Sequence, residues 1–217
     1  MSLYSLVNFV SNAPINEHRA MHQPDYIKVA ETVLPTLYGE FRVLAFTTPV
    51  GGRDYLALVM GNPSPDKSVL CRVHSSCVTG DLLGSLRCDC GDQLQLSLKA
   101  IQEAKEGVLI YLEQEGRGIG LINKMRAYEL QDQGLDTVDA NLALGFKVDE
   151  RDYLVACQIL VDLGIKKIRL MTNNPEKHTA LTEFGIEVVE VIPLRTKPNS
   201  HNQNYLKTKR EKLGHAL

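Results

Sequence analysis

The stretch RVHSSCVTGDLLGSLRCDCGDQL, residues 72–94, marks the point where two differently patterned halves of the chain meet. It contains Cys77, Cys88 and Cys90 in a C-x10-C-x-C array with no obvious fourth cysteine partner. Thiolates favour zinc, and a structural zinc site is normally closed by four protein ligands. Three ligands leave one position for a water molecule, which the metal makes nucleophilic near neutral pH.

His74, three residues before Cys77, is the nearby imidazole that could close the array into a structural zinc site. Spacing alone favours neither the catalytic nor the structural alternative. Three incidental thiols are less favoured, because a C-x-C pair beside a third cysteine is unusual in a reduced protein. The other two cysteines, Cys71 and Cys157, lie in apolar runs and are expected to be buried small hydrophobic residues.

Before the cysteine array, the sequence pattern is that of short strands. Four runs rich in β-branched and aromatic residues are separated by Gly, Pro or Asp, and their close spacing predicts an antiparallel sheet. These runs are DYIKVAE (25–31), GEFRVLAF (39–46), DYLALVMG (54–61) and SVLCRVHS (68–75). The first 24 residues are mixed and polar, and we expect them to form a loose N-terminal arm, 1–24.

After the array, the pattern alternates between helices and buried strands. Leu94, Leu98 and Ile101 recur at helical spacing, and Gly107 is predicted to end this helix. Further predicted elements are a strand (108–112), a glycine-rich loop (113–120), helices (121–134 and 149–164), a strand (166–171), a helix (176–185) and a strand (186–192). The segment from Pro193 is polar and is expected to be peripheral.

These patterns together predict a mixed α+β fold of the α/β class. An N-terminal antiparallel β-rich half is joined to a C-terminal βα half, in which βα units favour largely parallel strands. The cysteine array lies at the seam between the two halves.

Composition excludes several functional classes. The 217 residues are 44% hydrophobic, which is enough for one sizeable core. The net charge of −2 argues against a general nucleic-acid-binding protein, which usually has a basic excess. No apolar run approaches membrane-spanning length and no signal peptide is evident, so no membrane partner is expected. Five cysteines without a secretory signal indicate the reducing cytoplasm.

Basic residues recur in the predicted loops and at helix starts. They are Arg72, Arg87, Arg117, Arg151 and Lys177. Glycine-rich loops and helix N-termini present backbone N–H groups to phosphate, and arginine adds a bidentate fork. One such side chain is usually a solvated surface charge, but five of them in a near-neutral chain favour a polyphosphate ligand. The EGRGIG loop itself matches neither the phosphate-loop nor the dinucleotide fingerprint.

Two further residues could carry protons. Asp149 could equally be the N-cap of the helix predicted after it, and Tyr128 could be a half-buried packing residue with its hydroxyl at the surface. From its residues alone, the chain is interpreted as a cytoplasmic zinc hydrolase that acts on a phosphorylated small molecule.

Three motifs occur in a specific order: RCDCG (87–91), EGRGIGL (115–121) and TNNP (172–175). With LGFKVDERDY (144–153) and YLKTKREKLGH (205–215), they closely resemble the GTP cyclohydrolase II family over residues 25–217. The resemblance implies a single catalytic domain, 25–217, with a GTP cyclohydrolase II-like fold. It also implies zinc-dependent hydrolysis of GTP to 2,5-diamino-6-ribosylamino-4(3H)-pyrimidinone 5′-phosphate, formate and pyrophosphate, the first step of riboflavin biosynthesis.

The resemblance implies a role for each matching residue. Asp149 is the implied proton acceptor, Arg151 the implied nucleophile towards the α-phosphate, and Tyr128 the residue tied to completing the reaction. The implied zinc ligands are Cys77, Cys88 and Cys90. The implied GTP contacts are Arg72, Val73, His74, Ser75, Ser76, Gln93, Glu115, Gly116, Arg117, Thr137, Thr172 and Lys177. Because His74 falls within this run, we expect that it does not close the zinc site.

One implied role conflicts with elementary chemistry. The guanidinium of Arg151 is protonated at every relevant pH, so it is a poor nucleophile and fits charge stabilisation at phosphorus better. The family further implies Mg²⁺ on the substrate triphosphate and a homodimer. Many homologues are fused to a 3,4-dihydroxy-2-butanone 4-phosphate synthase, but the match begins near Tyr26 and leaves no room for that domain, so a monofunctional protein is expected.

Three alternatives stand beside this interpretation. A family member could stop after ring opening and retain the formyl carbon, although Tyr128 favours full turnover. A catalytically silent nucleotide-binding regulator is less favoured, because the ligands and the proposed catalytic residues are all present. A zinc module that binds nucleic acid is disfavoured by the absence of a basic excess.

Overall fold

A computed structural model describes residues 26–49 and 52–216, and the predicted arm at 1–24 lies outside them. The strands are β1 (Ile27–Thr36), β2 (Gly39–Thr47), β3 (Asp54–Met60), β4 (Ser68–Ser75), β5 (Gly107–Leu112), β6 (Lys167–Met171) and β7 (Glu187–Ile192). The helices are α1 (Cys90–Ala104), α2 (Leu121–Asp132), α3 (Thr137–Ala143), α4 (Leu154–Asp162), α5 (Pro175–Glu183) and α6 (Gln203–Leu213). A π-helical turn spans Val78–Leu82, and a 3₁₀ turn spans Glu115–Gly118.

The strands form a single sheet in the order β1-β2-β3-β5-β4-β6-β7. The pairs β1-β2, β2-β3 and β3-β5 are antiparallel, whereas β5-β4, β4-β6 and β6-β7 are parallel. The predicted mixed α+β fold is confirmed, with one difference: β4, expected in the antiparallel half, pairs in parallel on both sides. α1 supplies the long crossover between β4 and β5 that parallel strands require.

Helices cover both faces of the sheet. Adjacent residues of a strand point to opposite faces, so Leu109 and Ile110 of β5 belong to different hydrophobic clusters. Ile110 lies in a cluster with Ile159 of α4 and Leu181 of α5, and Leu109 lies in one with Ile101 of α1. Full burial of each such side chain stabilises the fold by about 1.5–3 kcal/mol, which makes the sheet a rigid platform.

The carboxyl ends of the parallel strands meet at one edge of the sheet. β4 leads into Cys77, β5 into the turn that holds Arg117, and β6 into Thr172. In open sheets of this kind, ligands bind outside the carboxyl ends of the strands. Residues far apart in sequence are therefore brought together at this edge.

Two predicted helix boundaries were wrong. α1 ends at Ala104, where Lys105 takes the left-handed conformation with φ 57°. Gly107 instead begins β5, and a glycine is required there because a Cβ would lie 2.9 Å from the carbonyl oxygen of Leu70. Asp149 is not a helix N-cap, since α4 begins only at Leu154.

Two helices were not predicted. The carboxylate of Asp136 accepts hydrogen bonds from the backbone of Val138 and Asp139 and so caps the start of α3. α6 lies within the segment that was expected to be peripheral, yet it buries Leu206 and Lys209. None of the helices in the described ranges is long and apolar enough to cross a membrane.

Candidate active site

Three cysteine thiols converge at the carboxyl edge of the sheet. The sulfur atoms of Cys77, Cys88 and Cys90 all lie within 4.8 Å of one another, and the Cys77–Cys88 separation is 3.7 Å. Cys77 follows β4, whereas Cys90 is the first residue of α1. Within residues 26–49 and 52–216, no other cluster of His, Cys, Asp and Glu has the spacing of a metal site.

The backbone beside the cluster leaves room for the sulfur atoms. A Cβ at Gly80, in the π-helical turn, would lie 2.9 Å from Cys88 Sγ and 3.1 Å from Cys77 Sγ. The N–H of Gly80 also donates to Cys77 Sγ at 3.4 Å. Any side chain at this position would displace the thiols, and π-helical turns are frequent at functional sites.

The three thiols perturb one another's ionisation. Hydrogen bonds from Cys88 and Cys90 strongly lower the pKa of Cys77. The hydrogen bond between Cys77 and Cys88 raises the pKa of Cys88 to about 11. By contrast, burial raises the pKa of both Cys71 and Cys157 to about 12, so these two are inert core thiols. A soft divalent cation would favour the thiolate form of all three clustered residues. The donor set, its burial and its spacing therefore fit zinc.

His74 lies beside the cluster but outside it. Its Nε2 is 3.1 Å from both carboxylate oxygens of Asp81, and its Nδ1 is 3.3 Å from a guanidinium nitrogen of Arg72. Burial lowers the pKa of His74 to about 4, although Asp81 opposes the shift. Asp81 also accepts a hydrogen bond from the backbone N–H of Cys77 at 3.0 Å. Both ring nitrogens of His74 are thus engaged away from the thiols, in line with the expectation that it does not close the site.

A lysine that the sequence did not single out contacts the cluster. Lys124 Nζ lies 3.0 Å from Cys77 Sγ, 2.7 Å from Glu115 Oε1 and 2.9 Å from Thr79 Oγ1. Burial lowers the pKa of Lys124, but the hydrogen bond to Glu115 and the charge of Cys77 raise it above its usual value overall. The ammonium therefore stays charged and stabilises a thiolate at Cys77.

Tyr128 lies one turn further along α2 at the thiol end of the site. Its hydroxyl is 3.4 Å from Thr79 Oγ1, and the guanidinium of Arg87 lies 4.8 Å from its ring centroid. Burial raises the pKa of Tyr128, so its hydroxyl stays protonated near neutral pH. It can therefore donate a hydrogen bond to a group in the cavity.

One cavity joins the thiol cluster to the loops that follow β4, β5 and β6. The predicted site residues that line it are Cys77, Cys88, Cys90, Arg72, His74, Ser75, Ser76, Gln93, Glu115, Gly116, Arg117, Tyr128, Thr137, Arg151, Thr172 and Lys177. Two predicted site residues do not line it. The backbone carbonyl of Val73 accepts a hydrogen bond from Lys177 Nζ at 2.8 Å, and the carboxylate of Asp149 accepts hydrogen bonds from Arg151.

The lining of this cavity is strongly cationic. Its basic side chains are Arg72, Arg117, Lys124, Arg151, Lys177 and Lys209, and Glu115 is the sole carboxylate among its described residues. Arg72 and Lys177 are each only 4% exposed, and neither forms an ion pair within the described ranges. Burial lowers the pKa of Arg72 to about 10, and burial together with the charges of Arg72 and Arg151 lowers that of Lys177. Buried cations without carboxylate partners are expected where an anion binds.

Several residues that line the same cavity carry buried hydrogen-bonding atoms without partners. Among the described residues, seven buried side-chain polar atoms have no hydrogen-bond partner, and five of them belong to cavity-lining residues. These five are Arg72 Nε, Arg117 Nη1, Arg117 Nη2, Asn174 Nδ2 and His215 Nδ1. Leaving a buried polar group unpaired costs about 1–3 kcal/mol. A ligand rich in acceptor oxygens would satisfy them together.

Arg117 occupies a strained backbone position. Its φ is 65°, in the left-handed region that residues with a Cβ rarely adopt, and Gly116 before it has φ 64°. Strain of this kind costs about 1–3 kcal/mol and concentrates at ligand-binding sites. Here it directs both terminal nitrogens of the guanidinium to buried positions without partners.

Asp149 and Arg151 form a partly buried two-point ion pair. Arg151 Nε lies 2.8 Å and 3.0 Å from the two carboxylate oxygens of Asp149, and a second guanidinium nitrogen also donates to the carboxylate. Although burial raises the pKa of Asp149, the hydrogen bonds from Arg151 lower it overall. The pair holds the guanidinium in one orientation at the cavity wall.

α6 contributes a wall that sequence reasoning missed. Lys209 Nζ lies 2.8 Å from Asp89 Oδ1, and Asp89, between two of the clustered cysteines, is fully buried. Tyr205 and His215 line the same cavity. The sequence signal for this wall was the YLKTKREKLGH motif (205–215). This motif was part of the family resemblance, but none of its residues was predicted to have a role in the site.

Three clustered thiols lie beside a cavity in which Arg72, Arg117 and Lys177 have no carboxylate partner among the described residues. This arrangement is of the kind used by metal-dependent enzymes that act on phosphorylated substrates. The sequence model of the GTP cyclohydrolase II family matches residues 27–193. The chain belongs to this family.

Relatives of two lengths resemble the chain. It is 54% identical over 190 residues to the riboflavin biosynthesis protein RibBA of Chlorobium phaeovibrioides, covering 88% of this chain and 46% of that protein. It is 55% identical over 189 residues to the GTP cyclohydrolase-2 of Histophilus somni, covering 87% and 88% of the two chains. The chain thus spans about half the length of the RibBA relatives and most of the length of the GTP cyclohydrolase-2 relatives.

One solved structure shares the fold. It is the crystal structure of RibBX, a two-domain 3,4-dihydroxy-2-butanone 4-phosphate synthase from A. baumannii. The TM-score is 0.50 at 21% identity, and the match covers 83% of this chain and 43% of RibBX. At this identity the likeness bears on the fold alone.

Proposed function

We propose that the protein is a GTP cyclohydrolase II that catalyses the first step of riboflavin biosynthesis. It would convert GTP to 2,5-diamino-6-ribosylamino-4(3H)-pyrimidinone 5′-phosphate, formate and pyrophosphate. The observation that carries the proposal is the position of the three-thiol cluster in the wall of a cationic cavity, where Arg72, Arg117 and Lys177 have no carboxylate partner among the described residues. Family membership, together with relatives named GTP cyclohydrolase-2, supports the choice of substrate.

The thiol end of the cavity supports zinc chemistry. Cys77, Cys88 and Cys90 would hold the ion, which would supply a Lewis acid and lower the pKa of water for hydrolysis of the base. Lys124 stabilises the thiolate of Cys77 through its 3.0 Å contact. The hydroxyl of Tyr128, which is protonated and lies at the thiol end of the cavity, would donate to the opened ring and so favour completion of the reaction and release of formate.

The cationic lining supports binding of the triphosphate. Arg72 and Lys177 offer buried positive charge, and Arg117 offers two unpaired donors. Arg151, oriented by Asp149, can stabilise the charge that develops at the α-phosphorus when pyrophosphate leaves. Since a protonated guanidinium has no free lone pair, we assign Arg151 this electrostatic role and assign Asp149 the role of orienting it.

Three further parts of the proposal concern the surroundings of the site. We propose that Mg²⁺ accompanies the triphosphate, because a bound cation offsets part of its charge. We propose a homodimer, supported by the edge strand β1, on which Ile27, Val29 and Val33 are each more than half exposed. We propose a cytoplasmic location, supported by five cysteines that form no disulfide with one another.

A direct test follows the products. The protein is incubated with GTP, Zn²⁺ and Mg²⁺, and formate, pyrophosphate and the mass of the nucleotide product are measured. The proposal predicts formate and pyrophosphate in equal amounts. A product that retains the formyl carbon would instead identify an enzyme that stops after ring opening, and binding of GTP without any product would identify a nucleotide-binding regulator.

A further inference from the structure

On the basis of the proposed function, we propose that His215 is a phosphate-binding residue of this site, and that its Nδ1 donates a hydrogen bond to an oxygen of the substrate's polyphosphate. The proposal goes beyond the roles assigned to the loops after β4, β5 and β6. It makes the segment that follows α6 part of the binding site.

The side chain of His215 belongs to the wall of the cavity and has an unpaired nitrogen. His215 lines the same cavity as the thiol cluster and the cationic loops. Its Nδ1 is buried and has no hydrogen-bond partner among the described residues. Because an imidazole can donate through Nδ1 in the neutral tautomer and in the protonated form, an acceptor oxygen in the cavity would satisfy it.

The backbone fixes His215 from both sides. Gly214 ends α6 in the left-handed conformation with φ 65°, and the N–H of His215 donates to the carbonyl of Lys209 at 3.1 Å. The N–H of Ala216 donates to the carbonyl of Asn173 at 3.0 Å. The side chain of Asn173 is itself held by two hydrogen bonds to the backbone of Leu194. The backbone that carries the imidazole is therefore preorganised, which lowers the entropic cost of binding a ligand there.

The charges around His215 select the chemistry of that ligand. The groups that face it are Lys209 on α6, Arg151 before α4, Arg117 in the 3₁₀ turn, and Asp89 at the start of α1. Burial and the three cations lower the pKa of His215 to about 3, with Asp89 opposing them. Lys209 and Arg151 are each paired with a carboxylate, of Asp89 and Asp149, whereas Arg117 has no such partner among the described residues. The net positive charge beside a neutral imidazole favours an anionic ligand, and a polyphosphate supplies both the charge and the acceptor oxygens.

Arg117 supports the same assignment independently. Both of its terminal nitrogens are buried without partners in the described part of the chain. An uncharged nucleobase would leave the charge of Arg117 uncompensated, whereas a phosphate group would accept from both guanidinium nitrogens in a two-point contact. His215 and Arg117 would thus bind the same end of the substrate.

The test measures binding of three probes to the zinc-loaded full chain by calorimetry: inorganic pyrophosphate, GTP and guanosine. His215→Phe is expected to weaken binding of pyrophosphate and GTP about tenfold or more, since a hydrogen bond to a charged group is lost, and to leave guanosine binding unchanged. His215→Asn is expected to recover part of the loss, because its amide can reach the Nδ1 position. His201→Phe is the matched control, since His201 is exposed and lies just before α6, whereas His215 lies just after it.

The outcomes separate this inference from the proposed function. The phosphate contact is wrong if His215→Phe binds pyrophosphate as tightly as the wild type does. It is also wrong if the substitution weakens guanosine binding as much as pyrophosphate binding. Either result would refute the contact even when the wild type turns over GTP. A wild type that binds neither pyrophosphate nor GTP contradicts both proposals. Thermal unfolding of each variant is recorded. If His215→Phe is unstable, pyrophosphate binding is compared between His215→Asn and His215→Leu instead, and equal binding by these two variants would refute the contact.

Discussion

Lys124 donates a hydrogen bond to Cys77, with Nζ 3.0 Å from Sγ, and in the same position contacts Glu115 at 2.7 Å. A single buried ammonium therefore connects the thiol cluster to the loop after β5. This connection explains how a carboxylate and a thiolate can both be buried at the wall of the cavity. It also makes the site sensitive to the loss of one charge.

Replacement of this lysine should destabilise the protein. Lys124→Met leaves the carboxylate of Glu115 buried without its partner, and both side chains in the pair are about one tenth exposed. We expect the free energy of unfolding to fall by roughly 3 kcal/mol, measured by urea denaturation. Lys28→Met is the control, because the Lys28–Glu31 pair is exposed to solvent and should contribute much less to the free energy of unfolding. Equal effects of the two substitutions would contradict the assigned role of Lys124.

Loss of one clustered thiol should remove the metal. Cys88→Ser replaces a soft ligand with a weak one, so we expect zinc content measured by atomic absorption to fall well below one equivalent, and formate release to be lost. Cys157→Ala is the control, because Cys157 is a buried core thiol far from the cluster in sequence. Full formate release by Cys88→Ser would show that the reaction does not depend on this cluster.

Stability should depend on pH through His74. Its pKa is about 4 in the folded protein, below the value of about 6.5 expected when unfolded, so the unfolded state binds more protons between these values. The contribution of His74 to the free energy of unfolding is complete above about pH 6.5. It is lost as the pH falls towards 4, and the loss is roughly 3 kcal/mol in total. His215 acts in the same direction, since its folded pKa is about 3. Urea denaturation at several pH values should give a smaller pH dependence for His74→Gln than for the wild type, whereas an unchanged dependence would refute the assignment.

The role of Arg151 can be separated from a covalent one. Arg151→Lys retains the positive charge but loses the two-point contact with Asp149, so we expect pyrophosphate release to slow about a hundredfold while some activity persists. Rapid quenching followed by mass spectrometry of the wild type should find no guanylyl group on Arg151. A trapped adduct there would establish the nucleophilic role and refute the electrostatic one.

The hydroxyl of Tyr128 should control completion of the reaction. Tyr128→Phe keeps the ring that stacks with Arg87 but removes the hydroxyl near Thr79. We expect the variant to accumulate a nucleotide that retains the formyl carbon, identified by its mass, with little formate released. Thr79→Val tests the neighbouring hydroxyl and should have the smaller effect. Normal formate release by Tyr128→Phe would remove this role.

Much of the architecture was predictable because its signals are local. Composition and turn residues predicted the strands, and helical spacing predicted α1. The helices α2, α4 and α5 were also predicted, with glycines as the stop signals of α2 and α4. The pairing of β4 was not predictable in this way, because it depends on the crossover through α1 rather than on the strand's own residues. Burial of β4 along nearly its whole length was the physical consequence.

The site was predictable where motifs are compact and unpredictable where contacts are long-range. The cysteine array and the glycine-rich loop lie within short stretches, so their residue types indicated their chemistry. The residue types around Lys124 and Lys209 do not indicate their chemistry, which arises from contacts with residues 47 and 120 positions away in sequence. Asp149 was open to an N-cap interpretation because nothing local shows that α4 begins five residues later.

The most direct test of the account is a zinc titration of formate release. Protein stripped of metal with a chelator is supplied with Mg²⁺ and GTP, and Zn²⁺ is added stepwise while formate is measured. The account predicts no formate at the start, a linear rise in rate, and a plateau at about one zinc per chain. Formate release at the full rate before any zinc is added, with the metal content verified, would contradict the claim that the three-cysteine site holds the catalytic metal.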